Sequence, residues 1–163
     1  MSVELPKSES VNSMWQAYLR SIGEDPETTR KTYMAWHFCD NEADANELAE
    51  LVRRGPKRAT TGSLWAYEAE QEPVPKVGDL SVIIDWEGQA RCIIRTSQID
   101  IVPLEDVTEE FAWTEGEGDR SLEYWRNAHW AFFSREMKDI GRIPDWSMPV
   151  VCERFDVVFG GES

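Results

Sequence analysis

The chain has 163 residues, 41% of them apolar, and sets 31 Asp plus Glu against 17 Lys plus Arg for a formal net charge of -14. That length suits one domain with a substantial core, and the apolar share excludes general disorder, though the polar stretch 1–9 is expected to fray. The acidity excludes the broad basic face of a nonspecific DNA or RNA binder. No apolar run approaches the roughly 20 residues a membrane span needs, and the start has no signal-peptide pattern, so a cytoplasmic protein without a membrane partner is expected.

Val11, Met14, Trp15, Tyr18, Leu19 and Ile22 recur at helical spacing, with Ser10 as the expected N-cap and Gly23 as the stop. Trp36–Cys39 reads as a short strand. Asn41 is placed to cap a second helix through Ala45, Leu48, Leu51 and Val52, which Gly55 and Pro56 end. From Thr60 to Tyr67 the residues are β-prone, a Pro-containing loop covers 72–78, and 80–85 and 90–102 form a hairpin about Glu87-Gly88. Thr108 opens a short helical turn broken by Gly116 and Gly118. Ser121 caps a long helix carrying Leu122, Trp125, His129, Phe132, Phe133 and Met137. A loop over 143–149 leads to a closing strand with alternation at Val151, Glu153, Phe155, Val157 and Phe159. Hairpin signals without alternating strand–helix units point to an α+β fold, a curved sheet or partly closed antiparallel barrel with helices around it, and not to a parallel α/β sheet.

Cys39, Cys92 and Cys152 are far apart, sit in apolar strand-like settings and include no C-x-x-C pair, so they read as buried free thiols. With only His37 and His129 beside them, the ligand supply for a zinc site is poor, and no metal residue is assigned.

Four of the 17 cations, Arg53, Arg54, Lys57 and Arg58, fall within six positions about a Gly-Pro turn that runs into Thr60-Thr61-Gly62-Ser63. Concentrated positive charge beside small hydrogen-bonding groups on an acidic chain suggests a local pocket for a polar or anionic ligand, with Arg54, Arg58, Thr61 and Ser63 on its wall. The plainer reading is a helix end whose arginines offset the macrodipole. Glu115, Glu117 and Asp119 cluster in a Gly-rich loop, which in so acidic a chain reads as solvated surface before it reads as a metal site. Trp65, Tyr67 and Trp125 are candidates for stacking on a base. His129 lies on an apolar stripe, either as a hydrogen-bonded core residue or as a base near neutral pH.

In order along the chain stand Arg53-Arg54-Gly55-Pro56-Lys57-Arg58-Ala59-Thr60-Thr61, then Val77-Gly78-Asp79, then Thr108-Glu109-Glu110-Phe111-Ala112, then Glu115-Gly116-Glu117-Gly118-Asp119-Arg120-Ser121-Leu122-Glu123-Tyr124-Trp125. This series resembles the ASCH domain family, related in fold to PUA domains, over roughly Trp36 to Phe159. The resemblance implies a PUA-like domain over 35–160 with a central antiparallel β-barrel, the first 34 residues being a helical extension packed on it. It implies RNA or a nucleoside or nucleotide as partner.

The leading expectation is hydrolytic RNA processing in a cleft beside the barrel, for which magnesium is implied. The alternatives are an amidohydrolase acting on an N4-acylated cytidine nucleoside, and a noncatalytic RNA or protein interaction module. Carried over by position, the family's Lys, Thr and Glu fall on Lys57, Thr60 and Glu115; Ser121, Trp125 and His129 join the ligand-binding candidates from the reading of the residues themselves. Lys57 either takes the nucleophile's proton itself or remains charged while Glu115 takes it. Where many relatives have Arg two residues past the Thr, this chain has Gly62, which removes a potential bidentate anion clamp.

Overall fold

The computed structural model describes residues 3–4 and 8–162. In chain order its elements are β1 (Val3–Glu4), α1 (Glu9–Ser21), β2 (Met34–His37), α2 (Glu42–Arg54), β3 (Ala59–Ser63), α3 (Leu64–Glu70), β4 (Leu80–Ile84), β5 (Ala90–Pro103), α4 (Glu109–Glu115), α5 (Leu122–Asp139) and β6 (Pro149–Phe159). The fold is α+β, as expected. No helix among the described residues is long and apolar enough to cross a membrane.

Two compact units divide the chain. One comprises the described residues up to Gly55, with 78–95 and those from 156 on; the other comprises 56–77 and 96–155. In the first, β4 pairs antiparallel with the start of β5, with a register shift between Ile83 and Ile84. β2 pairs with β4 in parallel and β1 with β2 antiparallel, so the largely antiparallel sheet includes a parallel pair. Val11, Trp15, Tyr18 and Leu19 of α1 pack with Ala35, Val82, Ile84 and Ile93 in an apolar core. Val3 and Glu4 of the stretch expected to fray are strand residues; positions 1, 2 and 5–7 lie outside the described residues.

In the second unit β3 pairs antiparallel with β6, from Ala59 opposite Arg154 to Ser63 opposite Val150. Phe111, Trp125, Phe133, Met137, Met148 and Val150 form its core. Helix α5 contributes through one stripe, Trp125, Phe133 and Met137, spaced to recur on one face.

Four expectations shift. Ser8, not Ser10, caps α1 by accepting from the Val11 N–H; Ser10 instead accepts from the Ala90 N–H at 2.9 Å. The β-prone run ends at Ser63, whose hydroxyl accepts from the Ala66 N–H and starts α3. The Leu, Ala and Glu residues that follow favour helix over strand, and the cap decides the boundary. Thr108 opens a full helix, α4. Cys39 lies beyond β2, half-buried in left-handed backbone, whereas Cys92 and Cys152 are buried.

Candidate functional site

Helix α2 ends at Gly55, whose backbone adopts φ +124°, and the chain turns so that Lys57 enters the second unit. Lys57 and Glu115 are each 1% exposed. A buried ammonium is expensive unless every N–H finds an acceptor, and here all three do. Nζ donates to the Ala59 carbonyl at 2.8 Å, to Glu115 Oε1 at 3.0 Å and to Glu117 Oε2 at 2.8 Å.

The glutamates reach it because α4 docks its C-terminal end on the same segment, the Arg58 N–H donating to the Thr114 carbonyl at 2.9 Å. Gly116, at φ +71°, then turns the chain where a Cβ would collide with the Pro56 carbonyl oxygen. Only glycine fits so close an approach in that conformation. One residue on, the turn returns Glu117 to the side from which Glu115 came.

Glu115 is the hub. Its Oε2 accepts from the Thr61 hydroxyl at 2.5 Å and from Trp125 Nε1 at 2.6 Å, and it lies 3.3 Å from His129 Nε2. Burial alone would push its carboxyl up, but Lys57 and His129 hold it well below the usual carboxylate range. Burial alone would push Lys57 down; the carboxyl groups of Glu117 and Glu115 to which it donates outweigh it and keep the ammonium protonated. His129 has acceptors on both nitrogens, the Trp125 carbonyl at 2.9 Å from Nδ1 and Glu115 at Nε2. The imidazolium, which donates from both, satisfies this arrangement best. Its pKa is accordingly raised, Glu115 overriding the effect of burial. Glu117 moves the other way from Glu115: burial and the neighbouring Glu115 charge raise it in spite of Lys57.

The structure therefore brings Lys57, Thr61, Glu115, Trp125 and His129 together and adds Glu117, which the sequence reading left on the surface. Thr60 is not the hydroxyl on Glu115. Neighbouring strand residues point to opposite faces, and Thr61 has the inward face while Thr60 lies half-buried opposite Glu153. Trp125 is not an open stacking surface: it is 2% exposed and its ring lies on His129 with centroids 4.0 Å apart.

The other candidates have structural partners. Ser63 caps α3, and Ser121 caps α5 by accepting from the Tyr124 N–H. Trp65 lies under the Arg142 guanidinium at 4.0 Å, and Tyr67 is on α3. Arg58 donates to the Lys57 carbonyl, and Arg54, in the other unit, pairs with Glu162 at 3.8 Å. Asp119 accepts from the Ser121 N–H. The signal for Glu117 was present as Glu-Gly-Glu-Gly, in which a left-handed glycine between two acids can turn both to one side.

One ligand atom each from Glu115, Glu117 and His129 lies close enough to the others to suggest a metal. The donor set does not fit one. Lys57 Nζ lies within 3.0 Å of both carboxylates, where a divalent ion would meet an ammonium, and Glu115 Oε2 already faces three partners. Magnesium, which demands near-octahedral oxygen ligands at ~2.1 Å, would have to displace them.

A family model described as the ASCH domain matches residues 34–159. The chain belongs to the ASCH domain family. Among solved structures, this ASCH domain is similar to one from Lactobacillus crispatus JV V101, also described as an ASCH domain, at 36% identity and a TM-score of 0.85, covering 94% of this chain and 96% of that one. It is also similar to a protein from Enterococcus faecalis V583, at 34% identity and a TM-score of 0.82, covering 93% and 89%. No curated protein matches it.

Proposed function

We propose that this ASCH domain is a metal-independent hydrolase of the amide of an acylated nucleoside, of the N4-acylcytidine kind. The observation that carries the reading is the Lys57–Glu115–Thr61 arrangement: a fixed ammonium and a hydroxyl on opposite oxygens of one buried carboxylate. The Thr61 hydroxyl and Glu115 have the geometry of a nucleophile and its base. Lys57, held protonated, suits the stabilisation of an oxyanion and not the removal of a proton.

In the proposed reaction Glu115 takes the Thr61 proton as Oγ1 adds to the amide carbon, and the oxygen's developing charge lies toward Lys57. The C–N bond then breaks to leave an acyl-Thr61 ester and an amine, and water cleaves the ester by the same base. Trp125 and His129 hold Glu115 ionised and aligned. This reverses the order expected from the sequence, in which RNA cleavage came first, because the acids that might have held magnesium hold Lys57 instead. The -14 charge also disfavours a long polyanionic ligand.

The test is release of acetate from N4-acetylcytidine, with short single-stranded RNA in parallel, each with magnesium or a chelator. Turnover of the nucleoside in chelator, lost by at least about 100-fold in Lys57→Ala, is expected. Magnesium-dependent RNA cleavage without nucleoside turnover would replace this reading with the nuclease one, and turnover of neither would leave the interaction module.

A further inference from the structure

We propose that Glu117 is the general acid of this site, so that it and Glu115 divide the acid and base roles. The proposal rests on the amide-hydrolysis reading above, and the arrangement about Glu117 carries it.

First, the two carboxyls are close: both accept from the one Lys57 Nζ and bring an oxygen each within 4.8 Å of the other, and like charges held so near in a buried site favour a proton on one of them. Second, their surroundings differ. Glu115 faces Lys57, the Thr61 hydroxyl, the Trp125 N–H and His129, all of which favour its anion. Glu117 has Lys57 at 2.8 Å and otherwise the carboxyl of Glu115 and the more distant charge of His129. A carboxyl pair whose environments diverge in this way assigns its own roles. Third, Glu117 keeps 19% of its side-chain surface exposed where Lys57 and Glu115 keep 1%, so it is the carboxyl a substrate meets. Fourth, its position is fixed: Gly116 lies against Pro56 on one side, and Gly118 lies beneath the Tyr124 ring on the other.

When the tetrahedral adduct on Thr61 collapses, the C–N bond breaks, its electron pair stays on nitrogen, and nitrogen takes the Glu117 proton. The resulting carboxylate remains paired with Lys57. The proton that Glu115 took from Thr61 passes to Glu117, whose carboxyl lies within 4.8 Å, and restores the acid. No oxidant, metal or further reactant is needed.

The test compares wild type with Glu117→Gln and Glu117→Asp on N4-acetylcytidine and on an acetyl ester with a nitrophenolate leaving group, which departs without protonation. Glu117→Gln is expected to lose about 100-fold or more in kcat/KM on the amide, with a loss at least about tenfold smaller on the ester, and to lose the alkaline limb of its pH profile. Glu117→Asp is expected to recover part of the amide activity and that limb. An active wild type with a Glu117→Gln protein as active on the amide, or impaired equally on both substrates, overturns this role for Glu117 and leaves the hydrolase reading standing. A wild type inactive on the amide overturns both. Infrared spectroscopy of the resting wild type supplies a readout free of catalysis and of mutant folding. The carbonyl band of a protonated carboxyl at neutral pH is expected, and its absence overturns the proposal.

Discussion

The two units of this ASCH domain bury different things. One closes on an apolar core, Val11, Trp15, Leu19, Val82 and Ile93, where stability comes from surface removed from water. The other has an apolar core as well but buries an ammonium and a carboxylate beside it and sets against them an imidazole that is 12% exposed. Burying charge is at best neutral for folding compared with a well-packed apolar replacement. Among the described residues Lys57 is the one buried lysine or arginine, and its burial with every proton satisfied supports the site proposed there. The acidic surface thus says little about function, whereas the buried Lys57 says a good deal.

The comparison is sharpest at Glu115. Glu115→Ala strands Lys57 without its hub and should destabilise by about 3–5 kcal/mol, measured by denaturant unfolding. The double variant Lys57→Met, Glu115→Leu should recover most of that loss while remaining inactive. A double variant as unstable as the single one would break the view that the charges serve function and not folding.

In the apolar unit, Leu19→Ala should cost about 2–5 kcal/mol with activity per folded molecule unchanged, measured by the same unfolding curves and by turnover. Lost activity in the folded fraction would mean the two regions are not separable in this way.

Protonation of His129 gives a smaller, pH-dependent effect. Its folded-state pKa is raised, so its contribution is full below about pH 6.5, the ordinary value, and is lost as pH rises through the folded value. The stability gap between wild type and His129→Gln should therefore narrow as pH increases above that point. A gap that widens would show a neutral ring in the folded protein.

The smallest effect belongs to the surface. Arg154 grips Glu110 through both carboxylate oxygens at 2.9 and 2.7 Å, and this holds the Glu110 carboxyl at about 2. Glu110 is largely exposed, so Arg154→Ala should cost only about 0.2–1 kcal/mol and less in added salt, by thermal unfolding.

Much of the fold was legible because its signals are local: Asn41, Thr108 and Ser121 cap the helices expected of them, and the hairpin turns where Glu87-Gly88 stand. The α3 helix was misread because the β-branched run of Thr60 and Thr61 gave no sign that Ser63 would cap the next turn. Parallel pairing of β2 with β4 joins segments distant in sequence, which no local period reveals.

At the site, Lys57 and Glu115 were legible through family resemblance. The choice of Thr61 over Thr60 was not, since it depends on which face of β3 turns inward. Glu117 was hidden by composition: among 31 acids, one that holds a buried lysine looks like any other until the Gly116 turn is seen.

In the proposed reaction Lys57 is a permanent cation of the site and not its base. Nitrogen-detected NMR of the Lys57 Nζ, identified by its loss in Lys57→Arg, tests this directly across a pH titration. An ammonium is expected throughout the neutral range, titrating only above the ordinary lysine value, with a lower pKa for Lys57 when Glu117 is replaced by Gln. A Lys57 amine already neutral near pH 7 would contradict it and return the role of base to the lysine.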